Sequence, residues 1–149
     1  MPRFNFRLQQ YLGVKEQIED QKELEYSRAV RKLEEEKAQL RQMLTQLDEQ
    51  IEGFRAALKK SIAPIEVRRY NSYIERLKQH IRQQEERVKA AEVFVETKRQ
   101  ELVQAMKERK ALEAVRENAH EEFVIESNLA EQKHVDELVS FKYAKQSKS

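Results

Sequence analysis

The sequence has no cysteine, no tryptophan and only two glycines and two prolines among its 149 residues. Without cysteine the chain makes no disulfide and has no thiolate ligand for a metal ion. Because glycine and proline are the residues that interrupt helices, their scarcity indicates long helices and not a sheet. No apolar run approaches the roughly 20 residues of a membrane-spanning helix, and the N-terminus lacks the apolar core of a secretory signal. These absences favour a helical protein of the cytoplasm that is not inserted in a membrane.

Charged residues of both signs make up 38% of the chain, yet they nearly cancel to a net charge of +2. Charge this dense cannot surround a compact globular core, but it can flank a narrow apolar seam between helices. Because so small a net charge does not indicate binding to a polyanion, we expect no nucleic-acid partner.

Apolar residues recur in alternating steps of three and four along two stretches, as they do in coiled coils. The seam positions of the first stretch are Tyr26, Val30, Leu33, Lys37, Leu40, Leu44, Leu47, Ile51, Phe54 and Leu58. Those of the second stretch are Val67, Tyr70, Ile74, Leu77, Ile81, Gln84, Val88, Ala91, Val95, Lys98, Leu102 and Ala105. The polar exceptions Lys37, Gln84 and Lys98 are either devices that fix the register of the helices or tolerated defects.

Pro64 is the only strong helix breaker in the interior of the chain. It disfavours helix at the residue before it and suits the first turn of a new helix. The sequence therefore predicts one domain of residues 1–149, with helix 1 over about 4–60, a turn over about 61–63 and helix 2 over about 64–145.

A connection this short requires the two helices to pack antiparallel. Ile51 then meets Ile74 and Leu44 meets Ile81, so that apolar residues face each other across the seam. Lys37 would face Val88, and Gln84 would face Leu40. The predicted fold is all-α, a monomeric antiparallel coiled-coil hairpin whose longer second helix overhangs at the C-terminus.

The overhang, from Ile125 onward, has no partner left in helix 1 and carries a partial apolar stripe of Leu129, Val135, Leu138 and Phe141. A single helix with an unburied stripe either frays or docks on a partner, and its large residues favour docking.

The open end of the predicted hairpin is basic and aromatic. No acidic residue precedes Glu16, and none follows Glu137. Phe4, Phe6 and Arg7 lie in the first of these two segments. Such an end suits an acidic protein cavity, anionic lipid or nucleic acid. The alternative is a solvent-exposed helix end, since cations are favourable at a helix C-terminus. That alternative accounts for the C-terminal lysines but not for the N-terminal arginines.

The sequence offers no catalytic or metal site. It contains no phosphate-binding loop and no glycine-flanked serine elbow. Of the three histidines, His120 and His134 lie about 21 Å apart along a helix, too far to share one metal ion. We therefore expect no enzyme activity, no metal and no cofactor.

Four motifs resemble the FliJ family, the small coiled-coil component of the flagellar type III export apparatus. FNFRLQQYL opens the chain, YNSYIERLKQHIRQQ begins at Tyr70, KALEAVRE at Lys110 and EQKHVDEL at Glu131. Together the motifs cover nearly the whole chain. Their order and spacing make the resemblance more specific than any one motif does. The equivalent stalk protein of virulence injectisomes has the same shape and remains an alternative, as does a generic coiled-coil tether.

The resemblance implies a central stalk like the coiled coil of the rotary ATP synthase gamma subunit. Such a stalk inserts into the export ATPase hexamer, contacts the cytoplasmic domain of the export-gate membrane protein and assists export chaperones. It serves flagellum assembly and motility in the cytoplasm, at the inner face of the cell membrane.

The resemblance also implies two contact sites. With both termini in the ring, the ATPase-binding residues are Phe4, Phe6, Arg7, Leu129, Val135, Leu138 and Phe141. The gate-binding residues that match the family's motif are Leu47, Gln50, Phe54, Tyr73 and Leu77. Leu47, Phe54 and Leu77 are also seam positions, for which core packing is an equal explanation. Gln50 and Tyr73 lie off the predicted seam, and we expect them to face outward.

Overall fold

The structure, a computed structural model, describes residues 2–147. Its helices are α1, Gln9–Lys59, and α2, Pro64–Ser147, and no strand occurs within these residues. The predicted all-α helical hairpin is confirmed. The contacts between residues divide the chain into a terminal unit, Met1–Glu19 with Gln104–Ser149, and a turn unit, Asp20–Val103. That residues 1–149 form a single domain stays a prediction.

In the turn unit, the α2 side of the seam follows the sequence closely. Every predicted seam position of α2 from Val67 to Leu102 is buried or half-buried. The stripe has the period of a helix face because these residues recur every three or four positions. Burial of this stripe against α1 is the main apolar contribution to the stability of the unit.

The α1 side of the seam follows the prediction at eight of its ten positions, which are half-buried, and departs from it at two. Leu44 and Leu58, both predicted to be in the seam, are exposed, at 42% and 50%. At every second predicted position the preceding residue is also buried or half-buried: Ala29, Glu36, Met43, Gln50 and Ala57. Met43 and Ala57 thus take the places of Leu44 and Leu58, and the stripe is turned partly toward these preceding residues. The expectation that Gln50 faces outward, off the seam, is therefore wrong, since its side chain is half-buried.

A buried polar pair explains the rotation. Gln84, only 2% exposed, donates from Nε2 to the main-chain oxygen of Glu36 at 3.0 Å and to its carboxylate. This pair draws Glu36 into the seam and leaves Lys37 at its edge, 4.0 Å from the Glu34 carboxylate. The carboxylate of Glu36 also lies 2.9 Å from Lys32 Nζ. Hydrogen bonds hold the pKa of Glu36 below its ordinary value, and the bond from Lys32 has a larger effect than the bond from Gln84.

Ion pairs join the helices beside the apolar seam near the start of the turn unit. In the turn unit, Lys22 Nζ lies 3.4 Å from a carboxylate oxygen of Glu101, and Lys98 Nζ lies 3.5 Å from one of Glu25. Lys98, a polar exception in the predicted seam, is thereby accommodated at a half-buried position. Opposite charges that meet across an antiparallel pair favour this register over a shifted one.

The turn between the helices combines a left-handed residue with proline. Ser61 has a φ of 68°, in the left-handed region that commonly ends a helix. Pro64 begins α2, and the carbonyl of Ala63 accepts hydrogen bonds from the amides of Glu66 and Val67 at 3.0 and 3.2 Å. Glu66 thus sits in the first turn, where a negative charge is favourable.

Helix α1 begins at Gln9 and not near residue 4 as predicted. The amide of Gln9 donates to the carbonyl of Phe6 at 3.0 Å, and residues 2–6 are neither helix nor turn. Phe4 packs on His120 and Phe123 of α2, and buried Phe6 lines the same shallow cavity as Phe4 and Phe123. Tertiary packing of these rings has overridden local helix preference.

The buried carboxylate predicts a specific pH dependence of stability. A glutamate whose pKa is lowered by folding stabilises the fold above its unfolded pKa, about 4.3, and this stabilisation is lost as pH falls through the folded value. We expect the urea midpoint of the wild-type chain to fall between about pH 6 and pH 3 more steeply than that of Glu36→Gln. The substitution of an exposed neighbour, Glu35→Gln, should keep the wild-type slope. Equal slopes for all three chains would show that Glu36 contributes nothing through its charge.

Candidate functional site

The residues predicted to bind the export gate all lie in the turn unit, close to the turn. Tyr73 is 40% exposed and forms part of two shallow grooves. One groove is completed by Gln50, Glu66, Arg69 and Tyr70. The other is completed by Met43, Gln46, Arg76, Leu77 and His80. Tyr73 is thus the residue that joins the two grooves into one surface.

Three predicted gate residues contribute mainly to the seam. Leu47, Phe54 and Leu77 are half-buried. The ring of Phe54 packs on that of Tyr70, with centroids 5.0 Å apart and an interplanar angle of 36°. Aromatic contacts in this geometry add to the energy of apolar burial. Phe54 therefore positions Tyr70, which in turn lines the groove beside Tyr73.

The sequence did not assign Tyr70 and Arg76 to this site. Each is three residues from Tyr73, a spacing that places all three side chains on neighbouring turns of one helix. The guanidinium carbon of Arg76 lies 5.9 Å from the centre of the Tyr73 ring, within the range of a cation–π contact. Helical spacing alone would have found both residues.

In the terminal unit, residues 2–8 form an N-terminal strap that lies against α2. The ring of Phe4 meets that of His120 edge-on at 4.9 Å and 82°, and it lies 5.6 Å from that of Phe123. Phe6 is 8% exposed and belongs to the core of the unit, together with Leu12. The strap thus uses its aromatic residues to cover α2, and Phe6 is not presented to a partner.

The strap also brings acidic residues next to the basic ones. Arg3 and Arg7 line a shallow cavity together with Glu122 and Glu126 of α2. The prediction of a basic open end did not include these glutamates because they lie far from either chain end in sequence. This part of the open end therefore carries both signs of charge and not the purely basic character that was expected.

Beyond the strap, α2 has no covering partner within the described residues, and residues 128–147 are all exposed. Leu138 and Phe141 are 51% and 68% exposed. Leu129, nine residues before Leu138, projects from the opposite side of the helix, since each residue turns it by about 100°. Val135, Leu138 and Phe141 share one face, as predicted for the partial stripe, and Leu129 lies outside that face. Large apolar residues occupy most of the circumference: Ile125, Leu129, Val135, Leu138, Val139, Phe141 and Tyr143.

Residues 2–147 contain no group of three or more histidine or carboxylate side chains placed to hold a metal ion. No helix in this part of the chain combines the length and the apolar character that crossing a membrane requires. The surfaces described above are suited to contact with other macromolecules, because they are shallow, open and lined by aromatic and long polar side chains.

The fold and its exposed surfaces define a small helical-hairpin protein that pairs its helices antiparallel. A model of the flagellar FliJ protein family matches residues 4–148, and the chain belongs to this family. The structure of a protein described as a YscO homologue, from Chlamydia trachomatis, has the same fold, with a TM-score of 0.69 and 21% sequence identity over 99% of each chain. No curated protein matches the chain significantly.

The unequal burial of the two strap rings yields a prediction about stability. Phe6→Ala should destabilise the chain by about 3 kcal/mol, because it opens a cavity in the terminal unit. Phe4→Ala should cost about 1 kcal/mol, since that ring is half-buried and loses mainly its contacts with His120 and Phe123. Urea unfolding gives both free energies, and hydrogen exchange of the Leu12 amide should follow the same order. Equal costs would contradict the separate roles of the two rings.

Proposed function

We propose that the chain is the central stalk of the flagellar type III export ATPase, without enzymatic activity of its own. Family membership supports its assignment to type III export. In this proposal it promotes the ATPase hexamer, links it to the cytoplasmic domain of the export gate and assists export chaperones. Its site of action is the cytoplasmic face of the flagellar base, where it supports flagellum assembly and motility.

The single observation that carries the ring contact is the distribution of apolar residues on the overhanging part of α2. A helix that is apolar on one face docks on a surface, whereas a helix that is apolar around most of its circumference needs partners on several sides. The centre of a ring provides such an enclosure. Leu129, Val135, Leu138 and Phe141 are proposed as its contacts, with Arg7 from the strap at the rim.

The gate contact is supported by the two grooves that meet at Tyr73. Exposed tyrosine and arginine are enriched at protein interfaces, and Tyr73 and Arg76 lie together here. Gln50 and Leu77 form the adjoining walls of the grooves. Leu47 and Phe54 are proposed to act indirectly, by supporting this surface from the seam.

The alternative is the equivalent stalk of a virulence injectisome. Similarity to the YscO homologue, at 21% identity, concerns the fold and is compatible with either system. The match of the flagellar family model over residues 4–148 favours the flagellar one. Restoration of swimming in a flagellated host that lacks its own stalk protein would support the flagellar assignment, and restored secretion through an injectisome alone would contradict it.

The ring contact predicts that exposed apolar residues are needed for ATPase stimulation. The double substitution Leu138→Ala and Phe141→Ala should raise the concentration for half-maximal stimulation at least about tenfold, as expected for the loss of two interface anchors. Because both side chains are exposed, the helix content and urea midpoint should not change.

A matched control replaces two exposed polar residues of the same segment, Gln132→Ala and Ser140→Ala. Its ATPase stimulation should equal that of the wild-type chain. If the apolar double substitution stimulates as well as this control, the overhang is not the ring contact.

The proposed gate contact predicts that substitutions at Tyr73 and Arg76 weaken binding to the gate domain without affecting ATPase stimulation. Tyr73→Ala combined with Arg76→Ala should weaken binding to the gate domain at least about tenfold, and the thermal midpoint should stay nearly unchanged for surface positions. Tyr143→Ala, which removes an exposed tyrosine from the terminal unit, is the matched control and should bind the gate domain normally. The gate affinity and the ATPase rate are measured on the same preparations. Loss of both activities in the Tyr73 variant would show that the two contacts are not separate.

A further inference from the structure

We propose that the face of α2 from Ala119 to Ser127 belongs to the ring contact, and that a basic amphipathic helix of the ring displaces the part of the strap that covers this face. That part is residues 2–5, called the outer strap. The assignment rests on the stalk function proposed above and adds to it a surface that is covered in the free chain.

The buried stripe of α2 continues past the level at which α1 begins. Buried or half-buried residues recur on it at intervals of seven or four: Ala105, Leu112, Ala119, Phe123 and Ser127. This spacing places all five on one face of the helix. The ring of Phe4 and the cavity around it place the strap, which is not helical, over Phe123. A face with the spacing of helix pairing is thus covered by a segment that is not a helix.

The outer strap is held on α2 by side-chain packing alone. Within the part of the chain that the structure describes, none of residues 2–5 makes a hydrogen bond or an ion pair. The ring of Phe4 is half-buried, against Phe123. By contrast, Phe6 is buried and its carbonyl accepts a hydrogen bond from the Gln9 amide. Phe6 therefore anchors the strap, whereas the outer strap can leave α2 without breaking a hydrogen bond.

Two cavities show that the outer strap fits α2 loosely. The first, of about 460 Å³, is lined by Arg3 together with Glu122 and Glu126, yet Arg3 pairs with neither carboxylate. The second, of about 440 Å³, has Pro2 and Val135 in its lining. Both are open to solvent, and the side chains around them lack the close contacts of a packed interior. A partner that fills this space can therefore compete with the outer strap.

The charge of the covered segment identifies the chemistry of its occupant. Between Arg116 and Lys133, α2 contains five glutamates and no lysine or arginine. The strap places the sequence RFNFR, residues 3–7, against this segment, so that arginines flank two aromatic rings. When the outer strap leaves, Arg3 leaves with it, and an apolar stripe bordered by carboxylates remains. A helix with apolar residues on one face and basic residues beside them complements this stripe, whereas nucleic acid and anionic lipid do not.

The covered face is continuous with the proposed ring contact on the overhang. Phe141 follows Phe123 by 18 residues, which is about five helical turns, so the two rings project in nearly the same direction. Leu138 lies about 60° away from that direction around the helix. In the free chain Phe141 is 68% exposed, whereas Phe123 is half-buried beneath the strap. Displacement of the outer strap thus extends one contact surface along α2.

The first test compares the two partners of one aromatic contact. Phe4→Ala should lower the concentration for half-maximal ATPase stimulation at least about threefold, because it raises the fraction of chains whose binding face is open. Phe123→Ala should raise that concentration at least about threefold, since it removes a contact with the ring. Asn5→Ala, at an exposed position of the outer strap, is the matched control and should keep the wild-type value. Shifts in the same direction, or no shift, would overturn the proposal.

A covalent lock tests the displacement directly, without background because the chain has no cysteine. Pro2→Cys and Ala130→Cys, two positions that line one cavity, are joined by a bis-maleimide. The bridged chain should need at least about tenfold more protein for half-maximal stimulation, because its binding face stays covered. The same variant capped with N-ethylmaleimide is the control and should keep the wild-type value. Equal stimulation by the bridged and capped chains would show that the ring binds without moving the strap.

The occupant is identified by a photoreactive phenylalanine analogue at Phe123, in the complex of the full chain with the ATPase. The expected cross-link is to a helix of the ATPase that carries lysine or arginine beside apolar residues, and the lock between residues 2 and 130 should abolish it. A cross-link to a second copy of this chain, to an acidic segment or to no protein would overturn the proposal.

The outcomes also separate the strap from the stalk function. If the wild-type chain stimulates the ATPase and the double substitution of Leu138 and Phe141 reduces this stimulation, but the lock does not, the stalk function stands and the strap is not its cover. A wild-type chain that fails to stimulate the ATPase would overturn both.

Discussion

The narrow seam between α1 and α2 is the constraint on which everything else depends. In the turn unit, the buried apolar side chains form a single stripe along each helix. A stripe of this kind specifies that two helices pair but only weakly specifies their rotation. The buried bonds from Gln84 to Glu36 supply that missing information, because a rotated or shifted α1 would leave the Gln84 amide without a partner in a dry environment.

The surfaces follow from the rotation of α1. With Glu36 in the seam, Gln50 and Met43 turn toward α2 and become walls of the grooves at Tyr73. A polar contact in the middle of the turn unit thus determines which residues stand beside the candidate gate surface. The terminal unit also combines polar and apolar residues at its seam. Ion pairs lie beside the seam near Lys15, where Leu12 is buried while Tyr11 and Ile18 face outward.

Much of the fold was readable from the sequence because periodicity reports directly on helix pairing. The α2 stripe and the start of α2 at Pro64 were predicted correctly for this reason. The partial rotation of α1 was not predictable from hydrophobicity, since it exchanges apolar Leu44 for Met43 and buries Glu36 beside half-buried Lys37. The non-helical strap was missed because its conformation is fixed by contacts with residues more than a hundred positions away. The sequence identified Tyr73 and Phe141 as exposed aromatic residues. It did not distinguish buried Phe6 from half-buried Phe4.

The strap gives the chain two different tolerances to insertion. In a helix one extra residue turns all that follows by about 100°, and a heptad pattern recovers only after seven. In the strap, Phe4 and Phe6 are held by packing and not by a helical repeat, so an extra residue between Phe6 and Gln9 would change only the turn at residues 7 and 8. Changes in length within the paired helices should therefore come in whole heptads, whereas the turn before Gln9 carries no such requirement.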